Sequence, residues 1–280
     1  MSLGAALAAS LLVIPAITGH AAAADDWIKV GSGKTEGVSG IAPYGSDWLI
    51  VRDNKKSDQN RVSKLSLSGS TPKVTALDWS GDDPDDLEAL DAIPGTSNRF
   101  VAVTSEGKAY AITAGSSKVT MDGKVSLPAG SGEFEGFALR VLSGKTVAVW
   151  ATRGEVGVPG KFYAATFDAT KLTFGKVSSA AFTAPYPTSD VRHISDAKIT
   201  STGEVLSAAA SDGGDTGPFN SALYRAAKVT VADSTATITV DAKAAPLQKF
   251  SGHKVEAVSC TVLGTDDEDN GGYVRSGSFC

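Results

Sequence analysis

Five segments of this chain share one pattern: a polar residue, a small residue, apolar positions, a turn, and an apolar run ending in polar residues. The polar positions are Ser39, Glu88, Glu135, Asp196 and Glu256, followed by Gly40, Ala89, Gly136, Ala197 and Ala257. They recur at intervals of 49, 47, 61 and 60 residues. Each interval has room for four short strands. The runs between them, such as DWLIV (47–51), RFVAV (99–103), KTVAVW (145–150) and KFYAATF (161–167), are short, apolar and punctuated by Gly, Ser, Asp and Asn. Many short strands repeated at this period predict an all-β fold, a β-propeller.

The small residue at a fixed phase marks the innermost strand of each blade, where backbones crowd the axis. Five phases predict five blades, with six as the alternative if a degenerate blade escapes the pattern. Only 24 residues follow Glu256, too few for a full blade. The segment Trp27–Val30 is therefore expected to complete the last sheet, closing the ring and removing exposed sheet edges.

Residues 1–24 contain no Asp, Glu, Lys or Arg and hold an apolar run from Leu3 to Thr18, then HAAAADD. This reads as a secretory signal peptide cut after Ala22-x-Ala24. A membrane anchor is the competing reading, and the short run argues against it. Residues 25–280 are then one secreted, extracellular propeller domain, expected to be monomeric and not inserted in a membrane. A net charge of −5 and a pI near 5.3 argue against a nucleic-acid binder. The two cysteines, Cys260 and Cys280, predict one disulfide in an oxidising compartment.

Residues at one phase of the innermost strands form a ring at one mouth of the axis. Glu88, Glu135, Asp196 and Glu256 converge there in this reading, with Ser39 as the fifth member. Close carboxylates repel, and a divalent cation relieves the repulsion. Hard oxygen donors favour Ca²⁺. Three residues earlier stand Glu36, Asp85, Gly132, His193 and His253. Imidazole beside carboxylate also admits Zn²⁺ or Mn²⁺, or proton transfer by His193 or His253. The second strand of each blade ends on the same face, at Arg52-Asp53-Asn54-Lys55, Ser105-Glu106, Thr152-Arg153, Ser211-Asp212 and Arg275-Ser276. Arg52, Lys55 and Arg153 would there bind an anionic ligand. The competing structural reading makes the acidic residues caps for strand N–H groups.

Asp86-Leu87-Glu88-Ala89-Leu90 with Ser105-Glu106, Glu133-Phe134-Glu135-Gly136-Phe137, and Val38-Ser39-Gly40-Ile41 with Arg52-Asp53-Asn54 resemble the repeated D-x-E-G strand starts of the secreted phytase-like or esterase-like β-propellers. The resemblance implies axial calcium and, in some members, phosphoester hydrolysis, and it points to Glu88, Glu135, Asp53 and Glu106. Ala89 replaces the motif glycine, five phases stand where this group commonly has six blades, and the histidine pair is foreign to it.

GSGKT (31–35) lacks the first glycine of a phosphate-binding loop, since position 28 is Ile28. TDDEDNGG (265–272) lacks the closing Glu of a calcium loop, since the twelfth position is Gly277. The expected function is thus a secreted, metal-binding propeller hydrolysing a small anionic ester at its axis. The alternative is a non-enzymatic propeller that binds a glycan, peptide or protein.

Overall fold

A computed structural model describes residues 26–68 and 71–280. The expected signal peptide lies outside the described residues. No helix among the described residues is long and apolar enough to cross a membrane.

The described residues form strands almost throughout. A two-residue strand β1 (Ile28–Lys29) comes first. Strands β2 (Gly40–Tyr44), β3 (Asp47–Val51), β4 (Val62–Ser66) and β5 (Lys73–Ser80) pair antiparallel in chain order. So do β6 (Leu87–Ala92), β7 (Arg99–Thr104), β8 (Lys108–Ala114) and β9 (Lys118–Ser126). A short parallel contact between β5 and β9 joins these two runs into one eight-stranded sheet. The next sheet contains β10 (Phe134–Leu142), β11 (Lys145–Thr152), β12 (Gly160–Asp168), β13 (Thr173–Phe174) and β14 (Ser178–Phe182). It is followed by β15 (Val191–Ile199), β16 (Glu204–Ser211), β17 (Asn220–Ala232), β18 (Thr235–Val240) and β19 (Gln248–Ser251). The last sheet takes β20 (Val255–Val258), β21 (Val262–Asp266) and β22 (Gly272–Ser276), and β1 completes it by pairing with β22, Ile28 opposite Val274. The N-terminal strand thus closes the C-terminal sheet.

The five polar-small segments lie on or immediately before the first strands β2, β6, β10, β15 and β20. Neighbours pack in cyclic order, β2 on β6, β6 on β10, β10 on β15, β15 on β20 and β20 on β2. The small residues are there because the backbones meet. A Cβ on Gly40 would lie 2.8 Å from the Leu90 nitrogen, and one on Gly136 would lie 3.0 Å from the Ala197 nitrogen.

Middle strands are buried on both faces because each sheet is covered by its neighbours. This makes β11 (KTVAVWAT) and β16 (EVLSAAAS) nearly continuous apolar runs. Outer strands such as β9 and β18 alternate, with one face in solvent. Five apolar clusters of the described residues fill the spaces between successive groups of strands, the three largest around Phe100 and Leu49, around Trp150 and Phe137, and around Tyr224 and Phe162. At the closing sheet, Cys260 and Cys280 form a disulfide.

Candidate site at the mouth of the axis

The first strands enter the ring through a bulge. Pairing skips Glu88 in β6, Glu135 in β10 and Glu256 in β20. A bulged residue is released from the ladder and its side chain can be re-aimed. Here the three glutamates share one electrostatic environment at the strand starts, since each of Glu135 and Glu256 raises the pKa of Glu88.

Glu135 is 1 % exposed. Burial, opposed by Arg192 and reinforced by Glu256, pushes its carboxyl up to about 7. Its Oε1 stands 3.6 Å from Arg192 Nη1 and 3.6 Å from Arg153 Nη1, while its Oε2 is buried with no hydrogen-bond partner. Ser39 Oγ, at the same phase of the first segment, is the other buried side-chain polar atom without a partner among the described residues. Glu256 is deeply buried as well, with Oε1 3.0 Å from Arg192 Nη1 and 3.2 Å from Lys254 Nζ. Glu88 is half-buried and has no ion pair among the described residues. Burial, then Glu135, Glu256, Asp53 and Asp86, raise its pKa well above the ordinary carboxylate range.

The ends of the second strands complete the mouth. Asp53, after β3, is raised to about 6 by burial and then by Glu256 and Asp86. Asp266, at the end of β21, is raised well above its usual range by burial, Glu256 and Asp53. Arg153, after β11, pairs with both Glu133 and Glu135. Asp212, after β16, receives Arg192 Nη2 at 2.5 Å. Burial works against the charge of Arg192, but Glu135, Glu256 and Asp212 outweigh it and raise its pKa. The mouth therefore has an acidic side, with Asp53, Asp86 and Glu88, and a guanidinium side, with Arg153 and Arg192.

Several expected site residues stand elsewhere. Asp196 does not join the glutamates: its Oδ2 accepts from Val258 N at 2.6 Å and its Oδ1 from Ala197 N at 2.7 Å. It ties β15 to β20, as Asp91 ties β6 to β10 by accepting from Leu139 N at 2.7 Å. Between them Lys198 Nζ reaches Asp91 Oδ1 at 3.1 Å and the Leu90 carbonyl at 3.2 Å. For Asp196 the capping role is thus the one observed. Asp85 is exposed and pairs with Arg61. Glu36 lies in a one-turn helix and accepts from Ser32 N.

The histidines do not come together with the glutamates either. His193 Nδ1 accepts from Ala184 N at 3.2 Å, and burial lowers its pKa. His253 Nδ1 lies 2.6 Å from Asp267 Oδ2, and its ring sits 4.6 Å from that of Trp27. Arg52 is buried and donates to the Gly37 carbonyl at 2.9 Å, and Lys55 pairs with Asp86 at 3.2 Å. Of the three expected anion binders, Arg153 alone makes an ion pair with one of the three glutamates among the described residues, while Lys55 feels the charge of Glu88 at longer range. Arg275 lies on β22 and pairs with Asp26; the second strand of that sheet ends at Asp266 instead.

Sequence reasoning missed Arg192 and Lys254, which join Arg153 as cations of the mouth. Arg192 precedes and Lys254 follows one of the histidines that drew attention to this phase. Among the described residues, no three His, Cys, Asp or Glu side chains are arranged to hold a metal ion.

No protein family matches the chain, and no curated protein matches it. Solved structures do. An endo-1,4-beta-xylanase from Bacteroides thetaiotaomicron superposes with a TM-score of 0.57 at 8% identity, over 89% of this chain and 92% of that one. Apo AztD from Citrobacter koseri gives a TM-score of 0.35 at 12% identity, over 77% of this chain and 47% of that one. Sqt1 from Saccharomyces cerevisiae gives 0.37 at 11%, over 79% and 50%. The chain spans about half the length of AztD and of Sqt1. At 8% identity the likeness to the xylanase is one of fold alone.

Proposed function

We propose that the chain is an exported, five-bladed propeller of the phytase-like type that binds a cation, Ca²⁺, at the acidic side of its axial mouth. The observation that carries this is Glu135 Oε2, a carboxylate oxygen buried without a hydrogen-bond partner, in the electrostatic reach of Glu88, which makes no ion pair among the described residues. A buried unpaired carboxylate oxygen costs free energy that a bound cation recovers. Since no three carboxylates of the described residues close around one point, Glu88 and Glu135 would be the side-chain donors and water or carbonyl oxygens would fill the remaining positions of the ion. These donors are all oxygen, and both histidines are engaged elsewhere, which suits Ca²⁺ rather than Zn²⁺ or Mn²⁺. The cation would supply charge neutralisation, and in a hydrolytic member it would activate water. Arg153 and Arg192, on the other side of the mouth, are the groups placed to meet an anionic portion of a ligand.

The cyclic packing of five first strands supports the blade count, and the Cys260–Cys280 disulfide supports export. Calorimetric titration of EDTA-stripped protein with CaCl₂ at pH 7.5 tests the reading. Wild type should bind one equivalent, and Glu88→Gln and Glu135→Gln should each weaken binding at least about tenfold, the loss of one charged ligand. Unchanged affinity in both variants would refute it.

A further inference from the structure

Two cavities open beside the mouth on the side away from Glu88, and Arg153, Gly154 and Glu155 form a wall common to both. The first encloses about 390 Å³ and reaches outward along β12 to Lys161 and Tyr163. The second, about 250 Å³, runs to Asp190 and Arg192. Together they make a groove from the axis to the outer part of one sheet. The first alone falls within the volume range of small-molecule sites.

The loop that separates them is pinned. Glu155 and Val158 exchange backbone hydrogen bonds at 2.8 and 2.9 Å. Gly154, at φ +64°, comes so close to Gly160 that a Cβ on it would lie 2.3 Å from the Gly160 nitrogen. This fixed loop carries Val156 at 66 % and Val158 at 53 % exposure, the two most exposed large apolar side chains among the described residues. Single exposed apolar residues need no explanation. Two on one rigid loop, at the rim of a polar groove, do.

The charges of the groove select the ligand. The first cavity sets Glu133 and Glu155 against Arg153 and Lys161. The second adds Asp190 and Asp212 against Arg192. A polyanion would meet several carboxylates and a polycation several guanidinium and ammonium groups. A hydroxyl both donates and accepts, so a neutral, hydroxyl-rich ligand meets the carboxylates and the cations of this lining alike. The apolar rim of Val156 and Val158 gives such a ligand a face to lie against, while Tyr163 lies buried beneath, stacked on Trp150, and carries Lys161 Nζ 5.3 Å from its centroid. We infer that the groove over β11 and β12 binds a neutral oligosaccharide, with Lys161, Glu155 and Arg153 as hydrogen-bonding groups and Val156 and Val158 as its apolar rim.

This inference does not rest on the cation: the groove shares Arg153 and Arg192 with the axial mouth but includes none of Glu88, Glu135 and Asp53 and is formed by the protein alone. The test is calorimetric titration of the intact mature protein, in EDTA and again in Ca²⁺, with cellotriose, maltotriose, mannotriose and, as the anionic comparator, trigalacturonate. At least one neutral trisaccharide should bind with a Kd of about 1 mM or tighter, in both buffers. Lys161→Ala, on an exposed position of β12, should weaken that binding by about tenfold, the loss of one charged hydrogen bond. Val141→Ser, an equally exposed apolar position on β10 remote from the groove, should leave it unchanged. Failure of all three neutral sugars, tighter binding of trigalacturonate than of each of them, or an unaltered affinity in Lys161→Ala would overturn the inference. Loss of Ca²⁺ binding in Glu135→Gln with sugar binding intact would separate this site from the axial one.

Discussion

The guanidinium of Arg192 lies 3.0 Å from the carboxylate of Glu256, across the gap between two sheets whose first strands are β15 and β20. The same nitrogen lies 3.6 Å from Glu135 on β10. One cation therefore ties three first strands together at the mouth. Arg192→Met keeps the length of the side chain and removes its charge, leaving two buried glutamates without it. Breaking a buried ion pair from one side costs about 3–5 kcal/mol, and denaturant unfolding should show a loss of that order. Arg192→Lys should recover only part of it, because one ammonium cannot also make the two-nitrogen contact with Asp212.

The raised carboxyls make stability depend on pH in a definite direction. Folded Glu135 holds its proton up to about 7 and Asp53 up to about 6, above the ordinary range near 4. Below about pH 4 both states are protonated and the contribution is complete. As pH rises from there to 7 the unfolded chain releases protons first, so stability falls, and above 7 the loss levels off. In EDTA, the melting temperature should be higher at pH 5 than at pH 7.5. Glu135→Gln should flatten the profile between those values, removing a pH-dependent term on the order of 2–3 kcal/mol. A profile that rises from pH 5 to 7.5 would contradict the assignment.

Asp196 and Glu135 look alike in sequence and should behave differently in experiment. Asp196→Ala removes the acceptor for Val258 N and Ala197 N, and unsatisfied buried donors cost about 1–3 kcal/mol each. Unfolding should show a loss of that order, while the affinity for Ca²⁺ stays at the wild-type value. Glu135→Gln should do the reverse, weakening Ca²⁺ binding at little cost in stability at pH 7.5.

The disulfide closes a loop of 20 residues around the last sheet. Loop-closure entropy puts its contribution at about 3 kcal/mol. The double variant Cys260→Ser with Cys280→Ser should lose about that much in urea unfolding, with no change at the axial mouth, since Glu256 is held by Arg192 and Lys254 and not by the C-terminal tail.

The all-β architecture was legible because it is periodic: a small residue follows a polar one wherever first strands crowd, and Gly40 and Gly136 show why. The pairing of β1 with β22 was legible from the shortage of chain after Glu256. The meeting of Glu88, Glu135 and Glu256 at the strand starts was legible, and the place of Asp196, bonded to backbone N–H groups instead, was not. In β15 the register breaks between Arg192 and Asp196, a longer irregularity than in the other first strands. It shifts Asp196 out of phase and brings Arg192 to the mouth. Spacing in sequence cannot reveal the size of a bulge. The histidines misled for a related reason: they flag the mouth through their neighbours, Arg192 before His193 and Lys254 after His253, while their own rings turn into the packing. Arg52 and Lys55 are cations at the right strand end whose nearest acceptors are the Gly37 carbonyl and Asp86, a choice set by tertiary contacts alone.

Elemental analysis of the purified mature protein, with its melting temperature measured in Ca²⁺ and in EDTA, tests the cation most directly. The account predicts about one equivalent of calcium and a melting temperature that falls on chelation, by the stabilisation of about 2.7 kcal/mol that a ligand at a hundred times its Kd confers. Protein free of calcium, whose melting temperature is the same in Ca²⁺ and in EDTA, would contradict it and leave Glu135 neutralised by Arg153 and Arg192 alone.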